Sequence, residues 1–438
     1  MHITMPILEF FQRARRSRAQ RLAAAGFCRI LLPLLLPFTC FTQAAFRPVV
    51  LVHGFMASGD TWARFQQQFV LQGYDPGSIA VLDWNTLNRN NEALVQLDAL
   101  VDSLRAGAGA TQVDLIGHSA GGGLSYSYLS DSVRAAKVAH YVHIGSMPQK
   151  QPACPAMLNL WSDGDKVAQA GDIPGAENRM LPGLDHYQVA TAPASFEAVF
   201  RFLNARAPNV IETAIPPSVT ISGRALVFGE NTPAAGAAIE LYYTDPTNGQ
   251  RQGAPFHSQT ADKQGYWSAP AVKTGVPVEI AVYPATPGAR PVHYFRLGFL
   301  AHDPLVYLRV LPAANSMLGF LLNGLPKAPE QSVVNIFAAN QGVVHGRDQL
   351  LINGALLSTE ALAAPEKTAI SFFLYDADNN RESAYNAVGV FARFPFLTGA
   401  DCFINPADPA PLRIELNGKT QVVRKIPSSA GVQVVVFE

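Results

Sequence analysis

The segment Val113–Gly123, with the sequence VDLIGHSAGGG, decides the fold of this chain. It begins as a short apolar strand and passes through a tight turn into a glycine-rich helix start. Gly117 and Gly121 stand two residues before and two residues after Ser119, so a strand and a helix can approach each other without clashes between Cβ atoms. This G-x-S-x-G spacing between a strand and a helix predicts a nucleophile elbow, with Ser119 strained at its apex.

A serine hydroxyl is a weak nucleophile and requires a general base, for which the chain offers His186. His186 follows the last predicted strand of its region and precedes the closing helix. Because the carboxyl ends of parallel strands open on the same side of a sheet, a histidine in this position can meet Ser119. We therefore predict that His186 is the base, in preference to an ordinary surface-loop histidine.

A third group must orient His186 and stabilise its cationic form. Asp163 and Asp165 both follow an apolar strand, within the sequence WSDGDKV. An acid two residues before an apolar residue is the usual arrangement in such a loop, which favours Asp165 over Asp163. Asp185 is a weaker candidate, because neighbouring side chains in an extended segment point apart.

Acyl transfer also requires N–H donors aimed at the developing oxyanion. The backbone N–H of Ala120, directly after the serine, is the first expected donor. The loop HGFM follows the predicted strand Val49–Val52, and the N–H of Phe55 in this loop is the second expected donor. Gly54 allows the chain to turn there, and His53 is predicted to be structural rather than catalytic.

The chain divides into segments with different periodicities. Residues 46–206 alternate short apolar strands with helical patterns, which predicts a parallel sheet covered on both faces. Residues 207–217 contain three prolines and no helical period, so we predict a linker. Residues 218–312 and 313–438 show strand patterns only, and Asn417-Gly418 predicts a tight hairpin turn. The predicted fold class is α/β, with a parallel-sheet domain followed by two β-sandwich-like domains.

Four motifs, HGF, GHSAG, DKV and GLDH, together resemble the small bacterial lipases and esterases of the α/β-hydrolase superfamily. The resemblance spans residues 46–206 and includes the order Ser119, Asp165, His186, which differs from the orders in chymotrypsin and subtilisin. It implies carboxylic ester hydrolysis through an acyl-enzyme. The first β unit resembles transthyretin-like sandwiches, and an archaeal lipase type with a C-terminal β domain is similar in layout. The oxyanion loop lacks the extra glycines of H-G-G-G enzymes, which leaves open whether bulky tertiary-alcohol esters are accepted.

The intervals between the predicted catalytic residues limit what can cover the site. Ser119 and Asp165 are 165 − 119 = 46 residues apart, which leaves no room for a large helical cap. The alternatives are a short lid around Met147–Pro155, or cover from the β units by Leu297–Leu300 or Met317–Leu322. Ordinary β core is the favoured interpretation of these last two segments. Ser119 is therefore expected to be open to solvent unless the β units shield it.

Residues 1–44 are typical of a signal peptide. Six arginines accompany one acid, Glu9, and the apolar run Ile30–Phe41 is too short to span a bilayer as a helix. Small residues suit cleavage after Ala44, so the predicted location is secreted or periplasmic, with a retained membrane anchor as the alternative. The remaining chain has 27 basic and 32 acidic residues, 27 − 32 = −5, which gives no electrostatic case for nucleic-acid binding.

Signals for cross-links and cofactors are weaker. Cys154 and Cys402 remain after the signal peptide, and in an oxidising compartment they form either one disulfide or two separate buried thiols. Asp376 and Asp378, with the asparagines after them, resemble the start of a calcium loop but lack its glycine and terminal glutamate, which favours a hairpin turn. We expect no metal and no cofactor.

The sequence thus predicts a hydrolase of small-molecule or lipid esters with apolar acyl chains, because Phe55, Met56 and Trp62 are expected at the mouth of the site. A transient contact with a lipid interface is an accompanying expectation, and the oligomeric state stays open. One alternative is the same machinery acting on a polyester or peptide bond. The other is a non-catalytic lipid- or glycan-binding protein that kept the elbow, against which the full set of serine, acid and histidine argues.

Overall fold

The structure, a computed structural model, describes residues 46–88, 92–150 and 156–438. The predicted signal peptide and Cys154 lie outside these residues, as does the end of the segment Met147–Pro155. Among the helices within the described ranges, none combines the length and apolar character that a membrane crossing requires. Cys402 is a buried thiol, and the prediction of its pairing with Cys154 stays a prediction because Cys154 lies outside the described residues.

A parallel sheet of six strands carries the candidate site. The strands are β1 Val49–Val52, β2 Ile79–Leu82, β3 Val113–His118, β4 Val138–Ile144, β5 Ala156–Trp161 and β6 Glu177–Met180. Their order in the sheet is β2-β1-β3-β4-β5-β6. The helices of this region are α1 Ala63–Leu71, α2 Glu92–Ala108, α3 Ala120–Leu129, α4 Ser132–Ala135, α5 Gln188–Thr191 and α6 Pro193–Asn204. β1 and β3 are buried along their whole length, and an apolar core lies on each face of the sheet. The α/β prediction is confirmed, because apolar runs of this kind belong to strands covered on both faces.

The rest of the described chain is rich in strands. They are β7 Ser218–Val227, β8 Ala238–Tyr243, β9 His257–Thr260, β10 Tyr266–Lys273, β11 Val278–Tyr283, β12 Val292–Arg296, β13 Leu308–Val310, β14 Val334–Ala338, β15 Leu350–Ile352, β16 Ala355–Leu356, β17 Ser371–Tyr375, β18 Leu397–Asp401, β19 Leu412–Leu416, β20 Lys419–Val423 and β21 Val432–Phe437. Two short α-helices interrupt them, α7 Met317–Asn323 and α8 Glu360–Ala363.

The two predicted β units share one sheet. An eight-stranded sheet has the order β18-β17-β14-β21-β12-β11-β8-β9, and β21 lies parallel between β12 and β14. The sheet β10-β7-β13 packs over the first unit, and the sheet β16-β15-β19-β20 packs over the second. The sandwich character is as expected, but the boundary between residues 312 and 313 does not divide the sheet, because the last strand of the chain hydrogen-bonds to strands of both units.

A buried ion cluster also joins the two units. Glu279 on β11 accepts hydrogen bonds from Arg251, His293 and Arg424. Burial opposes the ionisation of Glu279, but hydrogen bonds from these three side chains outweigh it and hold its pKa well below the usual range. Arg424 belongs to the second unit and the other members to the first, so this buried ion cluster crosses from one unit to the other.

The segment Met317–Leu322 is helical, which corrects the expectation of β core. The side chain of Ser316 caps α7 by accepting a hydrogen bond from the N–H of Gly319. Helical spacing then places apolar side chains on the buried face, namely Leu318, Leu321 and Leu322. A local cap and a period near 3.6 residues therefore outweigh the β patterns on either side.

The β region packs directly on the parallel-sheet region. Leu226, Leu305 and Tyr307 join the apolar core on one face of the parallel sheet. The hydroxyl of Tyr307 and the guanidinium of Arg224 donate to the carboxylate of Asp83, at 2.8 Å and 2.7 Å. Residues of the β region thus complete the core beneath the candidate site, and both regions belong to one compact unit.

Candidate active site

Ser119 alone makes the turn between β3 and α3. Its φ of 54° and ψ of −122° lie in a sparsely populated region that costs on the order of 1–3 kcal/mol for a residue other than glycine. The N–H of Ser119 donates to the carbonyl of Ile144, and the carbonyl of Ser119 accepts from the N–H of Gly122, both at 2.9 Å. These bonds hold the strained turn that the sequence predicts.

Two glycines allow the close packing of this elbow. A Cβ on Gly117 would lie 2.6 Å from the carbonyl oxygen of Gly121, and a Cβ on Gly121 would lie 2.4 Å from the carbonyl oxygen of Val52. Both distances are far shorter than van der Waals contact, so any side chain at either position would push the strand and the helix apart. The G-x-S-x-G spacing therefore has the steric cause inferred from the sequence.

The structure brings Ser119, His186 and Asp165 together. Nε2 of His186 lies 3.0 Å from Oγ of Ser119, and Nδ1 of His186 lies 2.8 Å from Oδ2 of Asp165. A carboxylate can only accept, so Nδ1 carries the proton and Nε2 is free to accept the proton of the serine hydroxyl. The imidazole is 2% exposed, so solvent does not compete for either contact.

Asp165 is fixed by its own backbone. Its Oδ1 accepts hydrogen bonds from the N–H groups of Val167 and Ala168, at 2.9 Å and 3.0 Å. Burial opposes the ionisation of Asp165, but the hydrogen bond from His186, followed by these two N–H groups, outweighs burial and lowers the pKa of the carboxyl. Asp165 therefore stays ionised at neutral pH and faces His186 through Oδ2.

The two other candidate acids point elsewhere. Asp163 is exposed, and its Oδ1 accepts from the N–H of Gly183 at 2.7 Å. Asp185 accepts from two N–H groups at the start of α5, and its Oδ2 accepts from the guanidinium of Arg347 in the second β unit at 2.7 Å. Asp185 thus contributes to the contact between the regions, and only Asp165 of the three contacts the imidazole of His186.

Two backbone N–H groups are available beside the serine. The N–H of Ala120 is the first of α3 and has no carbonyl partner within the helix. Within the described ranges, neither this group nor the N–H of Phe55 donates to another protein group. Gly54 brings the loop against the nucleophile, since a Cβ on Gly54 would lie 3.0 Å from the Cβ of Ser119. Both N–H groups that are predicted to bind the oxyanion can therefore donate a hydrogen bond to a bound substrate.

His118 is a buried neighbour of His186 for which the sequence predicts packing or hydrogen bonding near the sheet edge and no catalytic role. Its Nε2 lies 2.9 Å from the carbonyl oxygen of His186, and the two rings are 4.8 Å apart. Burial, reinforced by the charge of His186, lowers the pKa of His118 to about 3. The His118 ring is therefore neutral at neutral pH and donates to this carbonyl, so it does not repel a cation on His186.

An apolar cavity opens over Ser119 and His186, and the empty space in and above it amounts to about 1000 Å³, open solvent included. Phe55 and Met56 line it, as expected. Trp62 does not, which corrects its predicted place at the mouth. The indole is fully buried in the core and packs edge-on against Phe65 at 5.4 Å, because a short turn of helix directs it inward.

The β region supplies most of the remaining cavity wall. The apolar side chains involved are Phe228, Val292, Tyr294, Leu311, Leu322, Phe337, Ile370, Phe373, Phe396, Leu397, Val432 and Val434. The ring of Phe396 stacks on the imidazole of His186, with centroids 5.8 Å apart and planes at 11°. Ser119 is half-buried, because these side chains of the β units shield it. The sequence predicted an open serine unless the β units covered it, and they do.

Three carboxylates form a separate cluster on the second β unit. Asp376, Asp378 and Asp401 each place one oxygen within 4.8 Å of the others. The N–H groups of Asn380 and Arg381 donate to Asp376, as in a tight turn. These carboxylates have the chemistry of a cation site, but they do not line the cavity over Ser119.

Comparisons with known proteins agree with this architecture. The family model described as the alpha/beta hydrolase fold matches residues 47–259, the lipase C-terminal domain model matches residues 217–312, and a third model of a C-terminal domain matches residues 335–434. The first two matches overlap at residues 217–259, which lie in the β region and outside the parallel sheet.

Several similar solved structures each cover a little over a third of this chain. The mature lipase BlEst2 from Bacillus licheniformis is 17% identical over 37% of this chain and 93% of its own, with a TM-score of 0.30. A soluble variant of monoglyceride lipase from Saccharomyces cerevisiae is 13% identical over 38% and 89%, with a TM-score of 0.31. The carboxylesterase CesB from Bacillus subtilis is 12% identical over 37% and 85%, with a TM-score of 0.28. The matching family models and the observed sheet are those of an α/β-hydrolase core with appended C-terminal β domains, the first of them of the lipase C-terminal type.

Proposed function

We propose that this chain is an exported carboxylic ester hydrolase whose catalytic triad is Ser119, His186 and Asp165. The observation that carries the proposal is the unbroken hydrogen-bond chain from Asp165 through His186 to Ser119, which ends in an apolar cavity. The arginine-rich N-terminal segment, followed by the apolar run Ile30–Phe41, supports export.

In the proposed reaction, Oγ of Ser119 attacks the ester carbonyl while Nε2 of His186 takes the hydroxyl proton. The carboxylate of Asp165 stabilises the imidazolium that results. The N–H groups of Phe55 and Ala120 bind the oxyanion of the tetrahedral intermediate. His186 then protonates the departing alcohol, which leaves an acyl-enzyme, and a water molecule deprotonated by the same imidazole releases the acid.

The cavity supports an apolar acyl chain as the substrate group. Its walls are mainly aromatic and branched aliphatic side chains, the lining typical of sites that bind an apolar ligand. Each methylene buried there contributes about 0.8 kcal/mol. A single flexible chain fits walls on several sides better than a polymer strand that has to pass across the site.

A fluorophosphonate probe is expected to label Ser119, as detected by peptide mass spectrometry of the exported protein, because the probe traps a serine activated by a histidine. A saturating concentration of an ester substrate is expected to slow the labelling. In the same digest, the N-terminal peptide of the exported protein is expected to begin at Ala45.

In a series of p-nitrophenyl esters, kcat/KM is expected to rise with acyl length until the cavity is filled. Absence of labelling in the folded protein, or faster cleavage of peptides than of esters, would contradict the proposal.

We also propose that α7 contacts a lipid interface. Its inner side chain Leu322 lines the cavity, whereas Met317 and Phe320 are 56% and 79% exposed. The whole segment from residue 311 to residue 326 contains no charged residue. An exposed apolar surface beside the cavity, without charge, suits a hydrocarbon surface more than water.

The double variant Met317→Ser with Phe320→Ser is expected to lower activity on emulsified triacylglycerol several-fold and to leave hydrolysis of soluble p-nitrophenyl acetate unchanged. The physical reason is that each serine removes apolar surface that would otherwise be buried in lipid. Val133→Ser on α4 is a matched control, because Val133 is 71% exposed and lies outside the cavity wall. Equal losses on the two substrates, or an equal loss in the control, would refute the lipid contact.

A further inference from the structure

Asn231 lies in the β region, yet its side chain is inserted into the parallel-sheet region. It follows β7 in a turn and has a left-handed backbone with φ of 56°, which asparagine tolerates better than most residues. The residue is 6% exposed. A buried primary amide requires partners for both its oxygen and its nitrogen, and here all of them come from the other region.

The amide of Asn231 bonds to both ends of the loop that contains Phe55. Its oxygen accepts from the hydroxyl of Ser58 at 2.6 Å, and its nitrogen donates to the carbonyl of Ala57 at 2.8 Å. The nitrogen also lies 3.3 Å from Nε2 of His53. The contacts therefore fall on residues before and after Phe55, within the segment His53–Ser58.

A fourth contact ties this loop to its neighbour. The nitrogen of Asn231 donates to the carbonyl of Trp84 at 2.9 Å, and the N–H of Trp84 points at Nε2 of His53 at 3.2 Å. Nδ1 of His53 lies 2.9 Å from the carbonyl oxygen of Gly54. Because Nε2 faces donors, Nδ1 carries the proton and donates to that carbonyl, which fixes the peptide immediately before Phe55.

The loop has an intrinsic reason to need this support. Met56, directly after Phe55, has φ of 57°, a strained value for a residue with a Cβ. Such strain persists only where surrounding contacts over-determine it. The hydrogen bond from the N–H of Met56 to Oγ1 of Thr86 supplies one such contact, and those of Asn231 supply the others.

We propose that Asn231 is a positioning residue, through which the β region holds the Phe55 N–H in place to bind the oxyanion. The inference rests on the proposed ester hydrolysis and deepens it. The β region then acts on the chemical step as well as on the shape of the cavity. Loss of the amide contacts releases the loop, and the N–H of Phe55 moves away from the position of the oxyanion while the acyl cavity stays intact.

The test uses Asn231→Asp and Asn231→Gly in the full chain. The aspartate keeps the shape and the acceptor for Ser58 but loses both donors, and the glycine removes the side chain while tolerating the left-handed backbone. For a soluble p-nitrophenyl ester, kcat is expected to fall by about 10²-fold with KM nearly unchanged, the size typical of a lost oxyanion donor or of a 1 Å misplacement. Thr191→Val is the matched control, because Thr191 is buried and donates to Asn340 across the same two regions at 2.5 Å, away from the loop.

Inhibitor binding separates positioning from general destabilisation. A trifluoromethyl ketone, which forms a tetrahedral oxyanion adduct, is expected to bind the folded Asn231 variants more weakly in proportion to the loss of kcat. A ketone-free alkyl ether of the same length is expected to bind as in the wild type. An unchanged kcat, a loss confined to KM, or equal weakening of both inhibitors would overturn the inference. Failure of the wild-type Ser119 to react with a fluorophosphonate would instead overturn the proposed function.

Discussion

Ser119→Ala is expected to lower kcat for p-nitrophenyl ester hydrolysis by roughly 10⁶-fold, the size seen when the nucleophile of a serine hydrolase is removed. Alanine offers no atom for the acyl-enzyme, so the rate that remains comes from the oxyanion donors and from substrate binding. Among the residues that the structure describes, His186 is the one hydrogen-bond partner of the Ser119 hydroxyl, and a single hydrogen bond contributes about 0.5–1.5 kcal/mol to stability. Thermal unfolding is therefore expected to change little.

Initial-rate kinetics and a thermal melt of the same samples check this prediction. Ser125→Ala is the matched control, because Ser125 lies on α3, is fully buried and has a hydroxyl without a partner among the described residues. The control is expected to keep its activity. Retained ester hydrolysis in Ser119→Ala, with the fold intact, would exclude Ser119 as the nucleophile.

Asp165→Asn is expected to lower kcat by about 10⁴-fold, the size typical of losing the triad acid without losing its shape. The structure gives the reason. The N–H groups of Val167 and Ala168 both donate to Oδ1, so they hold an amide oxygen on that side. The amide NH₂ must then face Nδ1 of His186, which has to be unprotonated to accept from it. The proton moves to Nε2, where it blocks transfer from Ser119.

Asp163→Asn supplies the matched control for this prediction. Asp163 lies in the same loop and is exposed, and its Oδ1 accepts from the N–H of Gly183. An asparagine oxygen can accept the same bond, so activity is expected to stay close to that of the wild type. Steady-state kinetics of both variants on one soluble ester tests which carboxylate is the triad acid. Equal losses in the two variants, or a larger loss in Asp163→Asn, would show that the acid has been assigned to the wrong carboxylate.

Local sequence was sufficient for the features that depend on short-range geometry. The elbow at Ser119 requires glycines at fixed offsets, because Cβ atoms there would enter the neighbouring backbone. The hairpin at Asn417-Gly418 also depends on local backbone geometry, since both residues lie between β19 and β20 with positive φ, at 49° and 83°. His186 and Asp165 were predictable because both follow parallel strands, whose ends meet at one edge of the sheet.

Features that depend on long-range packing were not predictable in this way. Trp62 was expected at the mouth of the site, but its indole fills the core instead. Asn231 stands in an ordinary turn, and nothing in its neighbours indicates that it reaches His53, which is 178 residues away in the chain. The shared eight-stranded sheet likewise depends on β21 returning to lie between β12 and β14.

The sequence by itself thus determined the parallel-sheet fold, the tight turn at Ser119 and the chain order of the predicted catalytic residues, because each follows from the stereochemistry of a few neighbouring residues. Only the tertiary structure decided which side chains enclose Ser119 and what holds the Phe55 loop. Those groups come from the β region, in particular Phe396 over His186 and Asn231 under the loop. Their positions follow from the packing of two distant segments against each other, and no periodicity along the chain encodes these positions.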